Sequence, residues 1–244
     1  MTDIAYKKTD TADLHLHTNF SDGNYTPEVL VERAKQKGLA CIALTDHDTL
    51  DGCEETQRLC EEAGIGFITG IELTAYALEE EVHVLGLGIC RRNPDFDRKL
   101  EDFQKGRRER IVKMVDLLNE QNLPLKLEDV LRLAKCKAPG RMHIAQALLE
   151  GEFCRSREEV FSNYIGFNGP AYVPKVSFSI EESVELIHSV GGAALVAHPG
   201  TLSKREEVAK YAIQAGIDGF ECFHPRNSSS ARQYLLELCK EHNL

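Results

Sequence analysis

After a polar start, the chain alternates strictly: in "DLHLHT" (13–18), Leu14 and Leu16 interleave with His15 and His17. This period-two pattern predicts a strand with the leucines on one face and both imidazoles on the other. The period then lengthens. "TPEVLVERAKQKG" reads as an amphipathic helix with Thr26 as N-cap, Pro27 at the first position and Gly38 as its stop. "LACIALTDHD" predicts a strand, "DGCEETQRLCEEAG" a helix, and "GFITGIELTAY" and "EVHVLGLGI" two further strands. Strand–helix–strand repetition predicts parallel strands covered by helices.

From Pro94 to Tyr164 the period is helical throughout, in "FDRKLEDFQKGRRERIVKMVDLLNEQ", "LKLEDVLRLAK", "RMHIAQALLEG" and "SREEVFSNYIG". We expect a helical subdomain inserted over 94–169, with "FNGPAYVPKVSFS" leading back to the α/β part. Alternation then resumes with helix "IEESVELIHSVG", strand "AALVAHPG", helix "KREEVAKYAIQAG", strand "IDGFECFHP" and helix "SARQYLLELCKEHN". The α/β part is thus discontinuous, 1–93 and 170–244.

Composition narrows the class. With 244 residues, 42% hydrophobic and 28% charged, the chain fits a soluble globular protein of one or two domains. No apolar run approaches a membrane span, and "MTDIAYKKTDTAD" has no signal-peptide core, so the expected location is cytoplasmic and no membrane partner is expected. The net charge of -10 argues against tight binding of long nucleic acids, but a local group of cations would still take a small phosphorylated ligand. Eight cysteines are scattered without a C-x-x-C pair, several in apolar runs such as "ACIAL" and "GLGIC". They read as reduced core thiols.

In parallel α/β folds, function gathers at the C-terminal ends of strands. Here the first strand delivers His15 and His17 and its loop Asp22. The second ends in Asp46, His47 and Asp48, the third carries Glu72, the fourth His83, and "AALVAHPG" ends in His198. One strand histidine is usually a hydrogen-bonded core residue, and Asp22 before Gly23 can be turn chemistry. Five strands converging on imidazole and carboxylate form a constellation. Glu72 has no Lys or Arg among its neighbours in sequence, so its partner must come from elsewhere. His188 and His242 belong to surface helices. "KGRRERIVK" reads as a solvated helix face rather than an RNA groove, since it lacks interleaved aromatics.

"DLHLHTNFSDG", "ALTDHDT", "GIELT", "EVHVLG" and "VAHPG" resemble the motifs of the PHP (polymerase and histidinol phosphatase) metal-dependent phosphoesterases, most closely the TrpH-like branch. The resemblance covers nearly the whole chain, including "GRMHIAQAL" and "AYVPK". It implies a distorted (β/α)7 TIM-like barrel with the helical insertion and two or three divalent ions at the strand ends. It further implies that His15 and His17 bind a first ion and that Glu72 bridges it to a second, completed by His83 and His198. Asp22 and His47 would hold a third, and Asp46 would orient an imidazole. Asp46, His47 and Glu72 are the expected catalytic residues. Arg141, His143 and Lys175 are expected to hold the phosphate, and His224, at the end of another strand, joins them as a candidate substrate contact. The family closes with a strand ending in Asp-x-His. This sequence reaches "CKEHNL" with only His242 beyond, so a sequence cut short before its last strand is expected, with the first and third ions each short of a ligand.

Seven candidate ligands exceed the three or four that a single zinc uses. An imidazole and carboxylate set suits Mn, Fe or Zn. Such ions polarise water and clamp the charge of a phosphoryl transition state. The expected activity is hydrolysis of small nucleotides, such as 3′,5′-bisphosphonucleotides, or of short RNA 5′ ends. Alternatives are a histidinol-phosphate-type phosphatase and a catalytically impaired PHP module that binds phosphorylated ligands.

Overall fold

The computed structural model describes residues 11–90, 93–134, 136–175 and 177–244; most of the polar N-terminal start lies outside them. Strands β1 (Ala12–Leu16), β2 (Cys41–Leu44), β3 (Gly66–Ala77), β4 (Glu80–Leu87), β5 (Ala193–Val196) and β6 (Gly219–Phe220) form one curled sheet in sequential order. It is a half-barrel with β1 and β6 at its edges. β1, β2 and β3 pair in parallel, as do β5 and β6.

The expectation of uniformly parallel strands fails at β4, which is antiparallel to both β3 and β5. The reason is the connection. Only Leu78 and Glu79 separate β3 from β4, both with positive φ, and a two-residue loop joins only antiparallel strands.

Helices α1 (Pro27–Gln36) and α2 (Cys53–Ala63) cover the parallel side, where Val31, Ala34, Ile42 and Cys60 form a small core. The main core joins Ile71, Leu73, Val82 and Val84 of the hairpin to Val184 and Ile187 of α7 (Ile180–Ser189). Helices α8 (Arg205–Gln214) and α9 (Ser229–His242) close its far side.

Helix α3 (Pro94–Glu120) belongs to two cores. Phe96 and Leu100 pack on the sheet, whereas Ile111, Met114 and Leu118 pack with α4 (Leu127–Ala134), α5 (Arg141–Glu150) and α6 (Arg157–Val160). The helix expected over "SREEVFSNYIG" changes pitch after Val160 and widens to a π turn at Phe161–Ile165. Where the chain leaves and re-enters the sheet, Phe103 stacks on Phe178 with ring centroids 4.8 Å apart.

Two further expectations are corrected. "KGRRERIVK" is not simply a solvated face: Arg107 and Arg110 are buried, on the stripe that also carries Phe103 and Met114, while Lys105, Arg108 and Glu109 are exposed. Nor are all the cysteines core residues. Cys90 is exposed, and Cys136 and Cys239 are half-buried. Among the described residues no helix is long and apolar enough to cross a membrane.

Candidate metal centre

Register places the ligands. In the β3–β4 hairpin Glu72 pairs with Leu85, Thr74 with His83 and Tyr76 with Glu81. Alternation puts these six on one face and Ile71, Leu73, Val82 and Val84 on the other, in the core. His83 therefore reaches the site from the first half of its strand, because β4 runs backwards. Glu72 lies mid-strand rather than at a strand end.

The Glu72 carboxylate is 1% exposed and ringed by five imidazoles. Its Oε2 lies 3.3 Å from His15 Nε2, 3.1 Å from His17 Nε2 and 3.1 Å from His47 Nδ1. Its Oε1 lies 2.9 Å from His83 Nδ1 and 3.0 Å from His198 Nε2. His15 Nε2 and His17 Nε2 are themselves 3.1 Å apart. Asp22 stands 3.7 Å from His17 and 3.8 Å from His47. These residues come from β1 and its loop, the end of β2, the hairpin and the end of β5. All seven sequence-expected ligands are brought together.

Donor atoms converge within 4.8 Å of one another in three triplets: His15, Glu72 and His198; His17, His47 and Glu72; and His15, Glu221 and His224. His15 and His17, which the resemblance assigns to one ion, also meet at Glu72: their Nε2 atoms and Glu72 Oε2 all lie within 3.3 Å of one another. The donor set fits cations. Glu72 Oε2 and His47 Nδ1 are both buried and face each other, yet neither makes a hydrogen bond. Buried polar atoms left without a hydrogen-bond partner are what a divalent ion would satisfy.

Electrostatics follow from crowding. Burial opposes ionisation of Glu72, but the surrounding imidazoles together hold its carboxyl well below the usual range. Burial likewise lowers His15, yet Glu221 and Glu72 outweigh it and raise the imidazole to about 10. His83 is raised to about 9 in the same way, chiefly by Glu72. His47 goes the other way: burial holds it neutral, and a neutral imidazole is the ligating form.

Asp46 acts one layer back. Its carboxylate accepts the Thr18 N–H at 2.7 Å and the hydroxyls of Thr18 and Ser21, and Ser21 Oγ stands 3.4 Å from His17 Nδ1. Any orienting of an imidazole by Asp46 thus passes through Ser21 and the loop after β1. Gly23 in that loop is needed for close approach, since a Cβ there would lie 2.4 Å from the His17 carbonyl oxygen.

Helices α3 and α5 and the returning loop supply the opposite wall of a cavity of about 470 Å³. Arg141, His143 and Lys175 line it with Arg107, and His224 lines it from beyond β6. Arg141 opens α5 and lies 5.7 Å from the Phe161 and Tyr172 ring centroids. His143 Nδ1 accepts the Gly140 N–H at 3.0 Å, which leaves Nε2 to carry the proton, and burial keeps this imidazole from charging. Lys175 pairs with Glu81 at 2.6 Å, and Glu81 accepts from His83 Nε2 at 3.1 Å.

Sequence reasoning missed Glu81, Arg107 and Glu221, and placed Asp48 at the end of the second strand without giving it a role. Glu221 directly follows β6, and that strand-end carboxylate in "GFECFHP" was its available signal. It accepts from His15 Nδ1 at 3.0 Å and from the His198 N–H at 2.6 Å, holding His198 in a left-handed conformation with φ 30°. Glutamine at 221 would keep one acceptor and turn an amide N–H₂ toward the other donor. Glu221→Gln should therefore weaken metal binding about 10- to 100-fold, read by competition with a chelator. Unchanged affinity would deny Glu221 any orienting role.

Comparison with known proteins gives the family. The PHP domain matches residues 13–165. The 5′-3′ exoribonuclease Rnm of Escherichia coli (strain K12) is 32% identical over 239 residues, covering 95% of this chain and 81% of the relative. A 3′,5′-nucleoside bisphosphate phosphatase of Chromobacterium violaceum is 33% identical over 191 residues, 77% of this chain and 66% of the relative. Among solved structures, a candidate metal-dependent phosphoesterase of Bifidobacterium adolescentis superposes with a TM-score of 0.88 at 32% identity, covering 97% of this chain and 85% of that one.

Proposed function

The chain belongs to the PHP family and is a metal-dependent phosphoesterase, and from that premise we propose that it hydrolyses phosphate esters of small nucleotides, such as 3′,5′-bisphosphonucleotides, or of short RNA 5′ ends. The observation that carries this reading is the ring of imidazoles around Glu72, with two facing atoms that lack a hydrogen-bond partner, set opposite a wall of cations. In the same reading, the half-barrel represents a distorted (β/α)7 barrel carrying residues 94–169 as an insertion. The separate core of Ile111, Met114 and Ile144 supports that division.

His15 and His198 with Glu72 would hold one ion and His17 and His47 with Glu72 another, Asp22 lying nearest the latter pair; Mn, Fe and Zn all suit these donors. Bound divalent ions supply Lewis acidity toward phosphoryl oxygens and a water of lowered pKa. The remaining work falls to the chain. Arg107, Arg141 and Lys175 neutralise the charge of the phosphate, and His143 donates Nε2–H to it. Their charge is local, since the chain as a whole carries -10. Asp46 holds the loop bearing Asp22, and Glu221 fixes the ring of His15.

Elemental analysis and a phosphate-release panel test this. After reconstitution with Mn, a 3′,5′-bisphosphonucleotide or a 5′-phosphorylated oligoribonucleotide should be hydrolysed, and histidinol phosphate should not. Failure on every ester, with one ion or none retained, would replace the enzyme with a binding module. Turnover of histidinol phosphate alone would move the substrate class.

A further inference from the structure

A second cavity, of about 610 Å³, opens beside the first and shares Glu81, Arg141 and Lys175 with it. Its other walls carry three aromatic rings, those of Tyr76, Phe167 and Tyr172, among the smaller Thr74, Ala75, Pro174 and Ser177. Tyr76 and Glu81 are the next cross-strand pair after Thr74 and His83 on the site face of the hairpin, about 7 Å further out. Phe167 and Tyr172 come from the returning loop, with ring centroids 5.3 Å apart.

The exposure of these rings is unusual. Phe167 is 70% exposed and Tyr76 46%, so two aromatic faces stand bare at the mouth of a cavity whose inner end is cationic. Behind Tyr172, Arg110 is buried, donates Nε–H to the Val173 carbonyl at 2.6 Å, and leaves Nη2 without a partner among the described residues. Its guanidinium carbon lies 5.9 Å from the Tyr172 centroid. At the outer rim the charge reverses, with Glu79 lining the cavity there. Cations within, flat rings beyond and a carboxylate at the rim suit one aromatic heterocycle joined to a phosphate. They do not suit a run of phosphates.

We infer that this aromatic cavity is a nucleoside subsite, in which the base stacks on Phe167 and Tyr76 while the attached phosphate reaches Arg141 and Lys175. Only the statement that the held phosphate ester is then hydrolysed rests on the function proposed above.

Calorimetric titration with AMP and with ribose 5-phosphate, which has the same phosphate and no base, isolates the subsite. Stacking of one base makes AMP the tighter ligand by about 5- to 150-fold. Phe167→Ala and Tyr76→Ala should each bring AMP toward the ribose 5-phosphate value and leave ribose 5-phosphate unchanged. Both side chains are exposed, and Phe167→Leu serves as a second variant that keeps apolar bulk without a ring. Equal affinity of the two ligands for the wild type, or equal weakening of both in the variants, would overturn the subsite even if phosphate esters are hydrolysed. If AMP binds the more tightly and no ester is cleaved, the subsite stands and the enzymatic reading falls.

Discussion

Glu72→Gln should cost at least about 100-fold in metal affinity and about 1000-fold in phosphate release. The first figure is bounded from below by the loss typical of a residue that merely orients a ligand. The second follows the cost of deleting one group that stabilises transition-state charge. Both oxygens of this one carboxylate serve the ring of imidazoles, three on one side and two on the other. Glutamine keeps the shape but offers one acceptor and turns a donor toward the other imidazoles. The variant should therefore fold and fail to load. Metal per chain after reconstitution, measured beside the phosphate-release rate, is the check; a variant retaining wild-type ion content and rate would dismiss Glu72 as the shared ligand.

Arg107→Ala should destabilise the fold by about 3–5 kcal/mol, the range for removing one member of a buried ion pair. Asp48 is fully buried, left-handed at φ 53°, and ion-paired to Arg107. Its carboxylate also accepts the Thr74 N–H at 2.9 Å and the Thr74 hydroxyl at 3.2 Å, while Gln104 donates to its carbonyl at 2.8 Å. Without the guanidinium, a carboxylate would be stranded between the sheet and α3. Pairing Arg107→Met with Asp48→Asn should recover much of the loss, because no charge is then left buried alone. Urea unfolding of the single and double variants measures both terms. A loss under about 1 kcal/mol for Arg107→Ala would mean that water reaches Asp48.

The two buried arginines of α3, Arg107 and Arg110, also mark where sequence reasoning stops. Hydrophobic period identified α3 as a helix, but a buried cation contributes to that period as a polar residue. Arg107 and Arg110 therefore looked solvated until their partners, Asp48 and the Val173 carbonyl, were located far along the chain. The ligands were legible for the opposite reason. His15 and His17 alternate with leucines, and Glu72 sits in an apolar strand, so each is anomalous where it stands. Glu221 and Glu81 are ordinary strand-end acids whose significance exists only through His15 and Lys175. Strand direction was hidden in the same way. Alternation identifies a strand's two faces without saying which way it runs, and only the brevity of the link between β3 and β4 reverses the latter.

That reversal makes the numbering of the hairpin a matter of parity. Val82 and Val84 pack in the core while Glu81 and His83 face the cavity, and one step along the chain exchanges the two sets. A single residue gained or lost within the paired stretches Leu73–Ala77 or Glu80–Val82, with no bulge to absorb it, would drive an imidazole and a carboxylate into hydrocarbon and present valines to the cavity. A change of two would preserve the facing and alter only reach. Length variation in these paired stretches is therefore tolerable in even increments, whereas the turn at Leu78–Glu79 can take up an odd one.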